Sequence, residues 1–291
     1  MRVTFTGARR GFGLAAALLG LVPLGACGSG SQSASAAEPG GARTCASPWL
    51  GAELPAGATV ELLVAAGDTI PAGRWGAYKA MAGAVAACAG QGASLTLRPI
   101  TNDSLTQLPL FSAPVPVPAG QNAVNPLRYR AEMRGFVVKT AAAVDRLPEL
   151  ARGVQGSDPL GAMQAAGQDL GLGTTAAAGP AAPAGAGASA HVVVAIFNGW
   201  QQTHSLNLFR YRHDPAGSAS PALAALRASG ALPELHGSDV VIVGLTPGDA
   251  RMQTSDAQLA GLCRFWRSVV EAGHGTLKLC AAGLPGISQG S

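Results

Sequence analysis

Thr59 to Thr69 reads TVELLVAAGDT, and the fold follows from the way this stretch changes character. Val60 to Val64, VELLV, is a short, mainly apolar run with β-branched and γ-branched residues. Ala65, Ala66, Gly67, Asp68 and Thr69 then break it with small and turn-forming residues. Downstream, Trp75, Tyr78, Ala82, Val85 and Ala89 recur at helical spacing and share one face. A strand, a tight polar turn and an amphipathic helix, in that order, open a parallel α/β sheet. In such sheets ligands sit outside the carboxyl ends of the strands, which directs attention to Asp68 and Thr69.

The chain before this stretch reads as processing and tether. Arg2, Arg9 and Arg10 make a basic start, and Phe12 to Leu24 is an apolar segment of thirteen residues. That is short of the roughly twenty a helix needs to span a bilayer. It ends in Leu24-Gly25-Ala26-Cys27, four residues that resemble the lipobox of bacterial lipoproteins. The resemblance implies diacylglycerol on the thiol of Cys27, cleavage after Ala26 and acylation of the new N-terminus. Residues 1–26 are thus expected to be a signal peptide. Residues 27–44 are the lipidated cysteine and a flexible tether, GSGSQSASAAEPGGART after Cys27. Residues 45–291 form an extracytoplasmic domain, lipid-anchored to the bacterial cell membrane. Losing the leader removes three arginines and no acid, so the formal net charge of +4 falls to about +1. No Lys/Arg cluster then remains to suggest nucleic acid.

Along the domain, Leu95 and Leu97 mark a second strand. Residues 101–126 hold Asn102, Asp103 and an alternating Pro114, Pro116, Pro118, which favours an extended path and a short edge strand. Arg128 to Leu147 is helical, with Met133, Phe136, Val137, Thr140 and Val144 on one side. Gly156-Ser157-Asp158-Pro159 opens another helix, with Ser157 or Asp158 suited to the cap and Pro159 to the first helical position. Gly171 is expected to stop it, and residues 173–190 to form a low-complexity Ala/Gly/Pro loop. His191 to Phe197 (HVVVAIF) and Asp239 to Leu245 (DVVIVGL) read as buried strands, with a short helix, Pro221 to Ala228, between them. Ser255-Asp256-Ala257-Gln258 is a capping box. The helix it opens carries Leu259, Leu262, Cys263, Trp266, Val269 and Val270 and closes at Gly273. Thr276 to Leu279 is a last strand.

This order of elements resembles a von Willebrand factor type A domain over most of residues 57–280. GSDPLGAMQAAGQDL, from Gly156 to Leu170, is similar to the Gly-rich loop and helix of that family, and HVVVAIFNG to its central strand. The resemblance implies a doubly wound, mostly parallel sheet with helices on both faces. In the family a divalent cation is held at the strand tips by an Asp-x-Ser-x-Ser loop, a Thr and an Asp, a hard oxygen set suited to Mg²⁺ or Ca²⁺. Here Ala65 stands at the Asp position, Gly67 at the first Ser, Ser157 at the Thr and Asn198 at the second Asp. Two carboxylates are missing, so no metal or other cofactor is expected. A displaced Mg²⁺ or Ca²⁺ site on Asp68, Thr69, Ser157 and Asp158 is the alternative. Helix capping by Ser157 and Asp158 and a turn at Asp68 account for the same residues without an ion.

Cys45, Cys88, Cys263 and Cys280 are an even set in an exported chain, which suggests two disulfides among three connectivities. The resembled fold selects among them. It puts the helix after the first strand and the helix from Ser255 on opposite faces. It brings Cys88 to the edge where the chain from Cys45 enters, and Cys263 level with the end of the last strand. It therefore implies Cys45–Cys88 and Cys263–Cys280, with a free buried thiol at Cys263 as the competitor.

His191, His204 and His213 fit no standard zinc spacing, and the sequence has neither a Gly-x-Ser-x-Gly elbow nor a phosphate-binding Gly-Lys-Ser/Thr loop. Trp200 follows the central strand at the sheet's carboxyl edge, as either a partner contact or a packed loop residue. The expected function is binding, with no catalytic residue, to a protein or another cell-envelope component. The candidate ligand-binding residues are Asp68, Thr69, Ser157, Asp158, Asn198 and Trp200. The alternatives are an extracytoplasmic hydrolase using residues 198–214 and a small-solute-binding lipoprotein, which usually takes two lobes.

Overall fold

The computed structural model describes residues 45–66, 70, 73–118, 125–150, 152, 156–176, 190–203, 206–211, 214–245 and 255–287. Cys27, Asp68, Thr69, His204 and His213 lie outside the described residues, as do the expected signal peptide and tether. Within them, β1 is Thr59–Ala65, β2 Ser94–Ile100, β3 Phe111–Pro114, β4 His191–Ile196, β5 Asp239–Val243 and β6 Thr276–Cys280. The helices are α1 Pro48–Glu53, α2 Trp75–Cys88, α3 Pro126–Asp145, α4 Leu147–Leu150, α5 Pro159–Ala176, α6 Ala219–Ser229 and α7 Asp256–Ala272. A single 3₁₀ turn covers Leu208–Tyr211.

The strands form one sheet of order β3-β2-β1-β4-β5-β6, parallel except for the antiparallel edge strand β3. The fold is α/β, a doubly wound sheet covered on both faces. In β1, β4 and β5 every residue after the first is buried, as expected of strands lying between helical layers. Residues alternate across the sheet, so Glu61 and Leu63 face one side and Val60, Leu62 and Val64 the other. The Glu61 side is covered by α5, which packs on β1, β2 and β4. On the other side α2 packs on β1 and β4, and α3 lies beside it, packed against α2 and on β2. Trp266 of α7 is fully buried, edge-on to both Phe197 and Phe265 at centroid distances of 5.2 and 5.3 Å.

Several boundaries differ from the sequence reading, each for a local reason. Helix α5 runs through Gly171 to Ala176. Gly171 is no cap: a Cβ there would lie 2.7 Å from Nε2 of His236, and one at Gly167 would strike the Glu234 carbonyl. Glycine therefore lets α5 approach the 234–236 segment instead of ending the helix. The helix expected to reach Leu147 breaks after Asp145, and α4 follows as a separate turn. Ser47 caps α1 by accepting from the Leu50 amide at 3.2 Å, with Pro48 at the first helical position; the sequence reading passed over this short helix. The expected loop 173–190 begins inside α5, and its residues 177–189 lie outside the described residues.

Cys45 is bonded to Cys88 and Cys263 to Cys280, with Cα separations of 4.4 and 5.6 Å. The first bridge ties the chain's entry to the end of α2, at the edge where the parallel strands begin. The second ties α7 to the end of β6, at the opposite edge. Cys263 is thus a bridged cysteine and not a free thiol.

Candidate binding surface at the strand tips

Three chain segments meet beyond the carboxyl ends of β2 and β4. The Ser157 amide donates to the Gln202 carbonyl at 3.2 Å, and the Gln202 amide returns a bond to the Ser157 carbonyl at 2.7 Å. The Asp158 amide donates to the Thr101 carbonyl at 2.6 Å. The entry to α5 is therefore strapped to the loop after β4 on one side and to the end of β2 on the other. Gly156 permits the strap: its φ is +109°, and a Cβ would sit 2.8 Å from the Gln202 carbonyl oxygen.

Asp158 caps α5, its Oδ1 accepting from the Gly161 amide at 3.0 Å and from Nε2 of Gln201 at 2.8 Å. Gln201 completes the knot, its Oε1 accepting from the Leu160 amide at 3.2 Å while Nε2 also donates to Thr203 Oγ1 at 3.1 Å. Oδ1 of Asn198 accepts from the Trp200 amide at 3.0 Å, an Asx turn that ends β4. The indole of Trp266 donates to the Gly199 carbonyl at 2.8 Å and pins that turn to α7.

The structure thus brings Ser157, Asp158, Asn198 and Trp200 to one edge, but not with their side chains presented outward. Ser157, Asn198 and Trp200 are 2 %, 3 % and 4 % exposed. Trp200 is the packed loop residue of its two expected roles, since a buried indole offers no partner contact. Asp158 is half-buried and committed to its cap. The exposed surface comes from Thr101 to Leu110, the part of the expected extended path that precedes the edge strand β3. Its base is fixed by the Thr101 amide donating to Ser104 Oγ at 2.9 Å and the Ser104 hydroxyl donating back to the Thr101 carbonyl at 3.2 Å. Asn102 and Asp103 are exposed, as are Leu105 at 40 % and Leu108 at 81 %.

Of the candidate cation ligands, Asp68 and Thr69 lie outside the described residues, and the others, the Ser157 hydroxyl apart, have protein partners or lack oxygen. Asp158 and Asn198 direct their Oδ1 atoms to amides and to Gln201, and the Ala65 position offers no oxygen. The buried Ser157 hydroxyl has no hydrogen-bond partner among the described residues, and one neutral hydroxyl does not make a hard-cation site. Among the described residues no group of three or more His, Cys, Asp or Glu side chains could hold a metal ion.

Beneath this surface lies a charge cluster that the sequence reading missed. Glu61, on the central strand, is 2 % exposed. Its Oε2 accepts from Nε of Arg98 on β2 at 3.3 Å. Arg98 also pairs through Nη2 with Asp169 of α5 and donates from Nη1 to the Gln107 carbonyl at 3.2 Å. One guanidinium therefore joins two strands, a helix and the exposed loop. Burial pushes the Glu61 carboxyl up to about 8, and Asp169 adds to the rise while Arg98 opposes it. The sequence signals it only by one acid inside an apolar run and an Arg in the next strand, two positions beyond the residue paired with Glu61 and so on the same face.

No family model matches the chain, and no curated protein matches it. Among solved structures, the chain is similar to the crystal structure of the human COPII-coat protein Sec24c, at 12 % identity and a TM-score of 0.37. The likeness covers 79 % of this chain and 30 % of that one. At this level it carries no argument about activity.

Proposed function

We propose that this protein is a lipid-anchored, extracytoplasmic binding protein with a von Willebrand A-like domain whose strand-tip surface engages a protein or another cell-envelope component without a metal ion. The observation that supports this reading is the Thr101–Leu110 segment. It holds Leu108 81 % exposed beside exposed Leu105, Asn102 and Asp103, on a base braced by Arg98, Asp158 and Ser104. Apolar side chains on a rigid polar-rimmed base bind with little ordering cost. The buried Ser157, Asn198 and Trp200 and the half-buried Asp158 support that base from below. Among the described residues no helix is long and apolar enough to cross a membrane, so the anchor in this reading is the lipid on Cys27.

Two measurements test it. Cross-linking in intact cells, followed by purification, compares the wild type with Leu105→Glu/Leu108→Glu. Loss of the cross-linked species with unchanged thermal unfolding supports the reading, and equal recovery refutes it. Cys27→Ala is expected to leave the membrane fraction; retention there after a high-salt wash refutes the anchor.

A further inference from the structure

Folding gathers along α3 what the sequence spreads out. At 100° per residue, Leu127, Ala131, Arg134, Val138 and Ala142 fall in one stripe. That stripe lies opposite Phe136, Thr140 and Ala143, which are buried. Leu127 is 72 % and Val138 61 % exposed, and Ala131, Arg134 and Ala142 are exposed too. Arg130 lies along one margin of the stripe and Arg128 and Lys139 along the other. The helix holds four cations against two carboxylates. Glu132 sits against Arg128, and Asp145, at the far end, against Lys79 of α2. An exposed aliphatic stripe with cations on both margins suits a bilayer interface. The aliphatic groups enter among the headgroups, and the long basic side chains reach back to phosphate.

The topology places this face near the chain's entry. Cys45 is bonded to Cys88 at the end of α2, at the edge where the parallel strands start. Strand β3 ends at Pro114, opposite Ser94, the first residue of β2, so the chain reaches α3 from that same edge. The Lys79–Asp145 pair sets the far end of α3 beside the early part of α2, so α3 runs toward the tips. Leu127, Arg128 and Arg130 therefore lie on the side where the chain comes in, with seventeen residues between Cys27 and Cys45.

We propose that the outer face of α3 rests on an anionic phospholipid surface. The face's own chemistry supplies the recognition, and this proposal rests on the anchoring reading only for keeping the domain near the membrane. With α3 on the lipid, the strand tips and Leu108 lie at the far end of the domain from the chain's entry.

The test places a reporter on the stripe. The full chain carrying Leu127→Trp is combined with vesicles of brominated phosphatidylcholine, alone or with about a third phosphatidylglycerol. Quenching beyond that of the wild type is then measured. The expected result is quenching of the introduced indole on the anionic vesicles, suppressed by high salt. The vesicle affinity read from the quenching titration should fall roughly five-fold for each cation lost when Arg130→Glu, Arg134→Glu and Lys139→Glu are added singly and together. Unchanged thermal unfolding of the variants shows that the fold is intact. Quenching equal on neutral vesicles, or unmoved by charge reversal, overturns the proposal. So does no quenching at all, the result for a solvated face or one that docks a protein. Failure of the anchor instead shows as Cys27→Ala remaining with membranes after a high-salt wash, which removes the α3 contact but not an anchor.

Discussion

Replacing Glu61 with Gln isolates the contribution of a single buried proton. The two carboxylates of the cluster face one guanidinium, and Glu61 is the more deeply buried, so it holds its proton at neutral pH. Its carboxyl moves from an ordinary 4.5 to about 8 on folding. Below pH 4.5 the group is protonated in folded and unfolded chains alike, and its stabilising contribution is fully present. Between 4.5 and about 8 only the folded chain holds the proton. Stability then falls with rising pH, by about 1.4 kcal/mol per unit. From pH 4.5 to 7 the loss is on the order of 3 kcal/mol, or roughly 6–12 °C in Tm for a domain of this size. In Glu61→Gln the amide oxygen still accepts from Arg98 Nε, and nothing titrates. The variant should match the wild type near pH 4.5 and exceed it by that margin at pH 7. The assay is thermal unfolding of both chains at half-unit steps from pH 4.5 to 8.5, read as the difference between the curves so that all other groups cancel. Parallel curves would refute the reasoning. A variant less stable than the wild type at pH 8 would show that ionised Glu61 and Arg98 form a net favourable pair, the opposite of what burial dictates here.

Trp266→Phe removes the donor to the Gly199 carbonyl and part of the aromatic contact with Phe197. It should cost about 2–3 kcal/mol in denaturant unfolding; a change under about half a kcal/mol would show that the tip is not pinned to α7. Cys45→Ala/Cys88→Ala reopens a loop of 43 residues and Cys263→Ala/Cys280→Ala one of 17. The chain-entropy account gives losses of about 4 and 3 kcal/mol. Non-reducing peptide mapping checks the pairing itself, and a Cys88–Cys263 peptide would refute it. Thermal unfolding with Mg²⁺, Ca²⁺ or EDTA should agree within about 1 °C; a clear rise with either ion would show donors beyond the described residues.

The fold was legible because its signals are periodic and local. β1, β4 and β5 are runs of Val, Ile and Leu that only a strand buried on both faces explains, and the capping box at Ser255 marks the start of α7. Glycine read from its usual role holds at Gly273, which caps α7, and fails at Gly171. Gly171 looks like a stop, but the 234–236 segment that requires a bare Cα there is more than sixty residues away in sequence. The tip residues show the same limit. Ser157, Asp158 and Asn198 were placed at the correct edge by topology. Whether their oxygens face solvent or one another depends on Gln201, whose amide reaches two segments at once and has no sequence signature.

The least legible features are those in which two surfaces of one element matter. Glu61 sits in a run that is apolar on both sides. A period-two pattern has nothing to contrast it with, and only the neighbouring strand's register, Leu63 beside Arg98, brings a cation within reach. Helix α3 presents the converse case. Its buried Phe136, Thr140, Ala143 and Val144 and its exposed Leu127 and Val138 lie on opposite sides. Summed around the axis, the two apolar faces cancel, so the helix reads as weakly amphipathic, with its inner face alone recognised. The four cations are separated by one to four residues and make no run in the sequence. On the helix they gather around the outer stripe, because 3.6 residues per turn puts Arg134 within it, Arg130 along one margin and Arg128 and Lys139 along the other. A charge count along the chain misses such a face. A count around the helix, made after the inward side has been assigned to α2, finds it.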